Sequence, residues 1–201
     1  MRSNLALSAT LALLMLAQVR NAAAQQNLIM VDYSMAFPLG GLEEYIAKNT
    51  WRGFAAGYRY MADDNMAVGI DLDWHHFFER KDQASFTLET ATFTGTQYRY
   101  NNNFAMTAQW DYVFNEGGDL RPYLGVGAGA MYIRRVFDVG LYRFETDDWQ
   151  FVVQPEFGVS MYLSNGTALN LSANYFSGFK SKRLDGQSYA SINLGLIFAT
   201  D

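Results

Sequence analysis

No cysteine occurs anywhere in the 201 residues. An exported chain without disulfides has to rely on a large core or on closing its own hydrogen-bond ladder. Proline is scarce as well, with three residues, which leaves long stretches free to run as uninterrupted strands. Long apolar runs are also missing. Beyond the first two dozen or so residues none approaches the roughly 20 that a spanning helix needs. That part of the chain is therefore either soluble or a β-barrel, because only helices and closed barrels satisfy their backbone inside a bilayer. Aromatic residues are abundant, with 13 Tyr and 15 Phe, a composition that favours strands.

Residues 1–24 read as a secretory signal peptide. Arg2 opens the segment, an apolar run extends from Leu5 to Ala17, and Ala22-Ala23-Ala24 offers small residues for cleavage before Gln25. The apolar run is about a dozen residues, followed by Gln18 and Arg20, and is too short to span a membrane. Residues 25–201 are then one domain. Loss of Arg2 and Arg20 takes the basic residues from 15 to 13 against 20 acidic ones, a balance that argues against a nucleic-acid partner.

The rest of the chain is organised around Arg121–Arg135, RPYLGVGAGAMYIRR. Successive side chains of a strand point to opposite faces. Leu124, Val126, Ala128, Ala130 and Tyr132 therefore share one face, and Tyr123, Gly125, Gly127, Gly129 and Met131 the other. Three glycines on one face weaken an ordinary strand. They fit where that face looks into a crowded lumen and bulky side chains from across a barrel need the space. The same alternation predicts strands over 28–37, 51–61, 66–78, 98–114, 149–163, 167–176 and 187–199. Pro155 lies inside one of these and, lacking a ladder donor, predicts a β-bulge there.

Connections alternate in length. Positions 38–50, 79–97, 138–148 and 177–186 are long, and positions 62–65, 115–119 and 164–166 are short turns. Within the second long connection, Ser85–Phe93 (SFTLETATF) is rich in β-formers and predicts a hairpin that continues beyond a membrane. Within the first, Leu42–Lys48 predicts a short helix with Leu42, Tyr45 and Ile46 on one side. Two eight-stranded barrels compete for this layout. A lipocalin-like soluble barrel puts apolar residues inside; an outer-membrane barrel puts them outside, against lipid. Strand length favours the second, since each strand has about the ten residues needed to cross the hydrocarbon layer. So does the clustering of aromatics at both ends, with Tyr60, Trp110, Tyr112 and Phe114 by the short turns and Phe37, Trp51, Trp74 and Tyr175 by the long loops. So does the polar make-up of the opposite face, which could not serve as a dry core. The predicted fold is all-β: an eight-stranded antiparallel up-and-down transmembrane β-barrel preceded by a cleaved signal peptide.

Arg121–Ala130 (RPYLGVGAGA) and the final strand Asn193–Phe198 (NLGLIF) resemble the small eight-stranded outer-membrane β-barrels, a group with the opacity-type adhesins and the barrels of outer membrane proteins A and W. The final strand is similar to the signal such barrels present to the assembly machinery. That signal usually ends on an aromatic, whereas here Ala199, Thr200 and Asp201 follow Phe198. The resemblance implies a bacterial outer-membrane location, the barrel assembly machinery as partner during insertion, and outer-membrane lipid and lipopolysaccharide as surroundings. It implies little about activity.

Candidate chemistry is sparse. Asp32, Arg59, Asp71, Asp73, His75, Asp111 and Glu156 should all face the lumen. Such a set reads either as a proton or cation path or as a structural network in which Arg59 balances Asp32 or Asp71. An eight-stranded lumen is just filled by side chains, and buried charges need partners, so the network is the expected reading. His75 and His76 occupy adjacent strand positions and face opposite ways, so they cannot hold one metal together; His75 with Asp73 is a weak pair. No metal or cofactor is predicted. Tyr175-Phe176-Ser177 is similar to the His-x-Ser site of the lipid A deacylases, but Tyr175 stands where the histidine should be. No base then takes the Ser177 proton, and no catalytic residue is predicted. At the outer rim, Arg143, Lys180, Lys182 and Arg183 either clamp lipopolysaccharide phosphates or solvate the loops. The sequence predicts a non-enzymatic outer-membrane protein with a structural, adhesive or envelope-integrity role carried by its surface loops. A narrow passage for small solutes or hydrophobic compounds is the alternative, and a lipid A-modifying enzyme a further one.

Overall fold

The period-two alternation is realised as eight strands in one ring. The computed structural model describes residues 27–88, 91–115, 117–164 and 166–200; the expected signal peptide, 1–24, lies outside them. The strands are β1 (Asn27–Leu39), β2 (Gly53–Asp63), β3 (Met66–Leu88), β4 (Ala91–Val113), β5 (Leu120–Val139), β6 (Tyr142–Ser164), β7 (Thr167–Gly178) and β8 (Gln187–Thr200), with one short helix, α1 (Gly41–Tyr45), after β1. Neighbours in sequence pair antiparallel all the way round, and β1 closes on β8 from Asn27–Thr200 to Leu39–Ser188. Closure leaves no strand edge inside the bilayer, where an unpaired backbone group costs several kcal/mol.

The two faces are the reverse of a soluble barrel. Ile70, Leu124 and Leu194 are 52%, 48% and 54% exposed on the outer wall, while Asp71 and Asn170 are 8% and 1% exposed within. An outer surface this apolar is stable only against lipid tails. Trp51, Trp74 and Tyr175 stand exposed towards one end of the barrel and Trp110, Tyr112 and Phe114 towards the other, the positions of two interfacial girdles.

Strand lengths divide the ring in two. β3, β4 and β6 have 23 residues and β5 has 20, whereas β1, β2, β7 and β8 have 11 to 14. The excess lies at the end away from the short turns, which in outer-membrane barrels is the outside of the cell. The expected continuation through Ser85–Phe93 is present, with rungs as far as Leu88–Ala91. The segment 138–148 is not the loop expected. The β5–β6 ladder continues to Val139–Tyr142 across a tight turn at Gly140-Leu141, with Gly140 at φ 59°. Its charged residues suggested a loop, but above the membrane an antiparallel hairpin can turn a face to water, and polar residues are compatible with strand there.

Pro155 makes no bulge. The register from Val153–Ser177 to Glu156–Asn174 is unshifted, and only the rungs of Gln154 and Pro155 to β7 are missing. On its other side Pro155 pairs with Val126. The ring nitrogen has no hydrogen to give, so the ladder loses rungs without gaining a residue. Register shifts occur instead near hairpin ends, at Met61/Asp63, Lys81/Ala84 and Tyr162/Ser164.

Candidate functional site

The lumen is layered. Nearest the short turns lie Leu28, Met30, Tyr123, Ala168 and Ile197, packed together. Above them is the charged layer centred on Arg59, which is 2% exposed. Its guanidinium forks onto Asp71, Nη1 to Oδ1 at 2.5 Å and Nη2 to Oδ2 at 2.9 Å. Nε donates to Asp111 Oδ2, and Nη2 lies 3.5 Å from Glu156 Oε2. Tyr123 Oη is 3.0 Å from both Glu156 Oε1 and Asn170 Oδ1, its single proton serving one of them. Asn170 Nδ2 then donates to Asp32 Oδ1 at 3.1 Å. Each of β1 to β7 contributes a member, so the network ties the wall together across the axis.

Of the two partners expected for Arg59, Asp71 is the one it meets and Asp32 is not. Asp71 on the adjacent strand holds the fork, and Asp32 is reached only through Asn170. Glycine shapes this layer. A Cβ at Gly57 would sit 2.6 Å from Asp71 Oδ1, and one at Gly125 would collide with Asp111 Oδ1. The glycine-thinned face of β5 thus clears the space that Asp111 occupies.

Asp73 and His75 stand apart from the cluster. His75 Nε2 is 2.7 Å from Ser34 Oγ, which donates to Asn193 Oδ1 at 2.5 Å. His76 points outward, 2.6 Å from Asn102 Oδ1 and stacked near Trp74. The two histidines therefore share no site. Asp73 Oδ2 has no hydrogen-bond partner among the described residues.

Above His75 the lumen turns apolar. Phe176 and Tyr189 stack with centroids 4.5 Å apart, and Phe77 lies edge-on to Tyr189 at 5.5 Å. All three are fully buried, and Leu42 and Ile46 at α1 close over them. The expected face of Leu42, Tyr45 and Ile46 is the one that docks. This aromatic plug was not singled out in the sequence, although period two from His75 and from Asn174 points Phe77 and Phe176 inward. Two cavities along the axis hold about 30 Å³ beside Arg59 and about 10 Å³ beside Asp73, room for a water or two at most.

Tyr175 and Ser177 lie on the outward side, away from the lumen where His75 is sealed. At the rim, Arg143 pairs with Glu145 at 2.9 Å and Asp138 at 3.5 Å, and Lys180 with Asp185 at 2.7 Å. Hydrogen bonding from Arg134 holds the Glu145 carboxyl below its usual range, and Lys180 does the same for Asp185. Two of the four predicted rim cations are thus already engaged. Lys182 is exposed, and the backbone N–H of Arg183 donates to Asp148 Oδ2 at 2.9 Å.

A closed eight-stranded barrel with an apolar outer wall, a charged and filled lumen and long hairpins at one end is a transmembrane outer-membrane barrel. The chain belongs to the outer membrane protein beta-barrel domain family, whose sequence profile matches residues 9–198, and it resides in the bacterial outer membrane. Its fold is similar to the crystal structure of Ail, the attachment invasion locus protein of Yersinia pestis, at TM-score 0.54 and 14% identity over 89% of this chain and 100% of that one. It is equally similar to Neisserial surface protein A, at TM-score 0.53 and 14% identity over 89% and 99%. No curated protein matches it by sequence.

Proposed function

We propose that this barrel is a non-enzymatic anchor that holds its outer hairpins and loops at the cell surface, with a lumen that does not conduct. The observation that carries the reading is the filling of the axis: the Arg59 network below, the Phe77–Phe176–Tyr189 plug above, and cavities of only about 30 Å³ on the short-turn side of Arg59 and about 10 Å³ beside Asp73. Ail, a similar fold, carries the name attachment invasion locus protein, which fits a working surface made of loops. Catalysis has little support. The Ser34–His75 contact lies under the aromatic plug, and His75 Nδ1 has no orienting partner among the described residues. Mass spectrometry of lipopolysaccharide incubated with the protein should show unchanged acyl content.

Conductance in a planar bilayer tests the anchor reading. The expected result is no steady current, and a sustained open level would overturn it. A second reading, a narrow cation passage, is favoured by one feature: Arg59 shares the lumen with Asp32, Asp71, Asp73, Asp111 and Glu156. If current did appear, Asp71→Asn should lower its cation selectivity.

A further inference from the structure

At the outer mouth, two arginines are partly buried, and among the described residues neither has a carboxylate within salt-bridge distance. Arg99 donates to the Tyr45 carbonyl at 2.9 Å and to Gln97 Oε1 at 3.1 Å. Arg135 donates to Asn101 Oδ1 at 3.2 Å and Gln187 Oε1 at 3.0 Å. All four acceptors are neutral. Among the described residues no carboxylate forms a salt bridge with Arg99, Arg135 or the nearby Arg183, whereas Arg59, Arg80, Arg134 and Arg143 each have one. Glu79 lies on the rung opposite Arg99, and Asp185 acts on Arg135 through space. These carboxylates pair with Lys81 and Lys180, so the partly buried guanidiniums are left incompletely compensated. An anion from outside would relieve this.

The backbone register builds the place for that anion. Arg99 on β4, Phe137 on β5 and Phe144 on β6 occupy one rung; Asn101, Arg135 and Thr146 occupy the next rung on the same face, two residues along. Tyr45 at the end of α1 lies between the cations, with Arg135 Cζ 4.8 Å and Arg99 Cζ 5.4 Å from its ring centre. Arg183 and Leu184 enter from the β7–β8 loop. Together these side chains line a cleft of about 410 Å³, within the size range of small-molecule sites. Its cations are planar forks suited to tetrahedral oxyanions, and its remaining wall is aromatic and aliphatic.

We propose that this cleft binds a phosphate or sulfate ester carried on a ring, the ester among Arg99, Arg135 and Arg183 and the ring along Phe137, Phe144 and Leu184. The ester belongs either to a soluble ligand or to the phosphorylated sugar of a lipid in the same leaflet. The inference rests on the loop mouth being the working surface; it does not depend on the lumen being closed.

The test uses the full chain folded in phosphatidylcholine nanodiscs and titrated with phenyl phosphate at low salt. Saturable binding is expected. Arg183→Gln, whose side chain is exposed and whose loop is held by its backbone, should weaken binding at least tenfold. Arg99→Gln with Arg135→Gln should abolish it, and Arg143→Gln, already paired elsewhere, should leave it unchanged. Heat-modifiable gel migration checks that each variant is folded. Absence of saturable binding, or Arg183→Gln binding as tightly as the parent, would overturn the proposal. Inorganic phosphate should bind at least tenfold more weakly than phenyl phosphate; equal affinity would remove the ring from it. With lipopolysaccharide added to the discs, loss of phenyl phosphate affinity supports the cleft as a lipid headgroup site, and unchanged affinity supports it as a site for a soluble ester. Failure of binding leaves the anchor reading intact, and a steady current overturns that reading without touching the cleft.

Discussion

Arg59 and Asp71 meet through two parallel hydrogen bonds across the β2–β3 boundary, at 2.5 and 2.9 Å. The same guanidinium also serves Asp111 and Glu156, so one cation neutralises carboxylates from three strands. Removing it strands them. Arg59→Met should lower unfolding stability by about 3–5 kcal/mol, the usual cost of breaking a buried pair from one side. Adding Asp71→Asn, Asp111→Asn and Glu156→Gln should recover most of that loss. Urea midpoints in lipid vesicles measure both. A single variant as stable as the parent would mean that the network is not a structural tie.

The inverted polarity is tested on the outer wall. Ile70 lies outward on β3, between Tyr58 and Ala108 on the neighbouring strands. Ile70→Arg should destabilise the barrel by about 2–4 kcal/mol if the position lies near the bilayer midplane. Ile70→Leu, of equal volume, should stay within about 1.5 kcal/mol.

Glycine positions separate crowding from freedom. A Cβ at Gly158 would overlap the Tyr123 ring, which the Glu156 and Asn170 contacts hold in place. Gly158→Ala should cost about 1–3 kcal/mol. At Gly166 the nearest heavy atom to a new Cβ is 3.9 Å away, and Gly166→Ala should change stability by no more than about 0.5 kcal/mol. The same unfolding assay compares the two.

Pro155 interrupts the β6–β7 ladder where the register would set it opposite Tyr175. Pro155→Val restores the missing donor on a lipid-facing position. It should stabilise the barrel by about 1 kcal/mol, the net value of one hydrogen bond. A protected, slowly exchanging amide at position 155 of the variant would show that the new rung had formed.

The β7–β8 loop depends on an ionised Asp148. A hydrogen bond from Ser181, then the backbone N–H groups of Arg183 and Trp149, holds its pKa below the ordinary 3.8. A depressed carboxyl contributes fully above the unfolded value and loses its contribution as pH falls through the lower, folded one. Protection of the Arg183 amide should therefore be flat from neutral pH down to about the ordinary aspartate value and fall only in stronger acid. Asp148→Asn should remove this acid limb.

Much of the architecture was legible because a period of two writes itself directly into the side chains. Ile70 against Asp71, or Leu194 against Asn193, states the face without any help from tertiary structure. The lumen members Asp32, Asp71 and Glu156 could be identified for the same reason. Asp71 was legible as one of two possible partners of Arg59, but the choice between it and Asp32, and the contacts with Asp111 and Glu156, could not be read. They depend on shear between strands, which is set by rungs such as Arg59–Gly69 rather than by any local pattern. The β5–β6 extension was hidden because Asp138, Arg143 and Asp148 carry no membrane signature, and a hairpin in water tolerates them. The cleft was hidden because Arg99, Arg135 and Tyr45 come from distant parts of the chain, and only the ladder and α1 bring them together.

Four tall neighbouring staves beside four short ones give the cylinder an oblique rim. A molecule arriving at the cell surface meets a backstop on the β3–β6 side and a low threshold on the β7–β2 side. Access to the mouth is therefore lopsided, and the lipids around the barrel are not equivalent: those along the threshold lie nearest the opening, while those behind the backstop are screened from it.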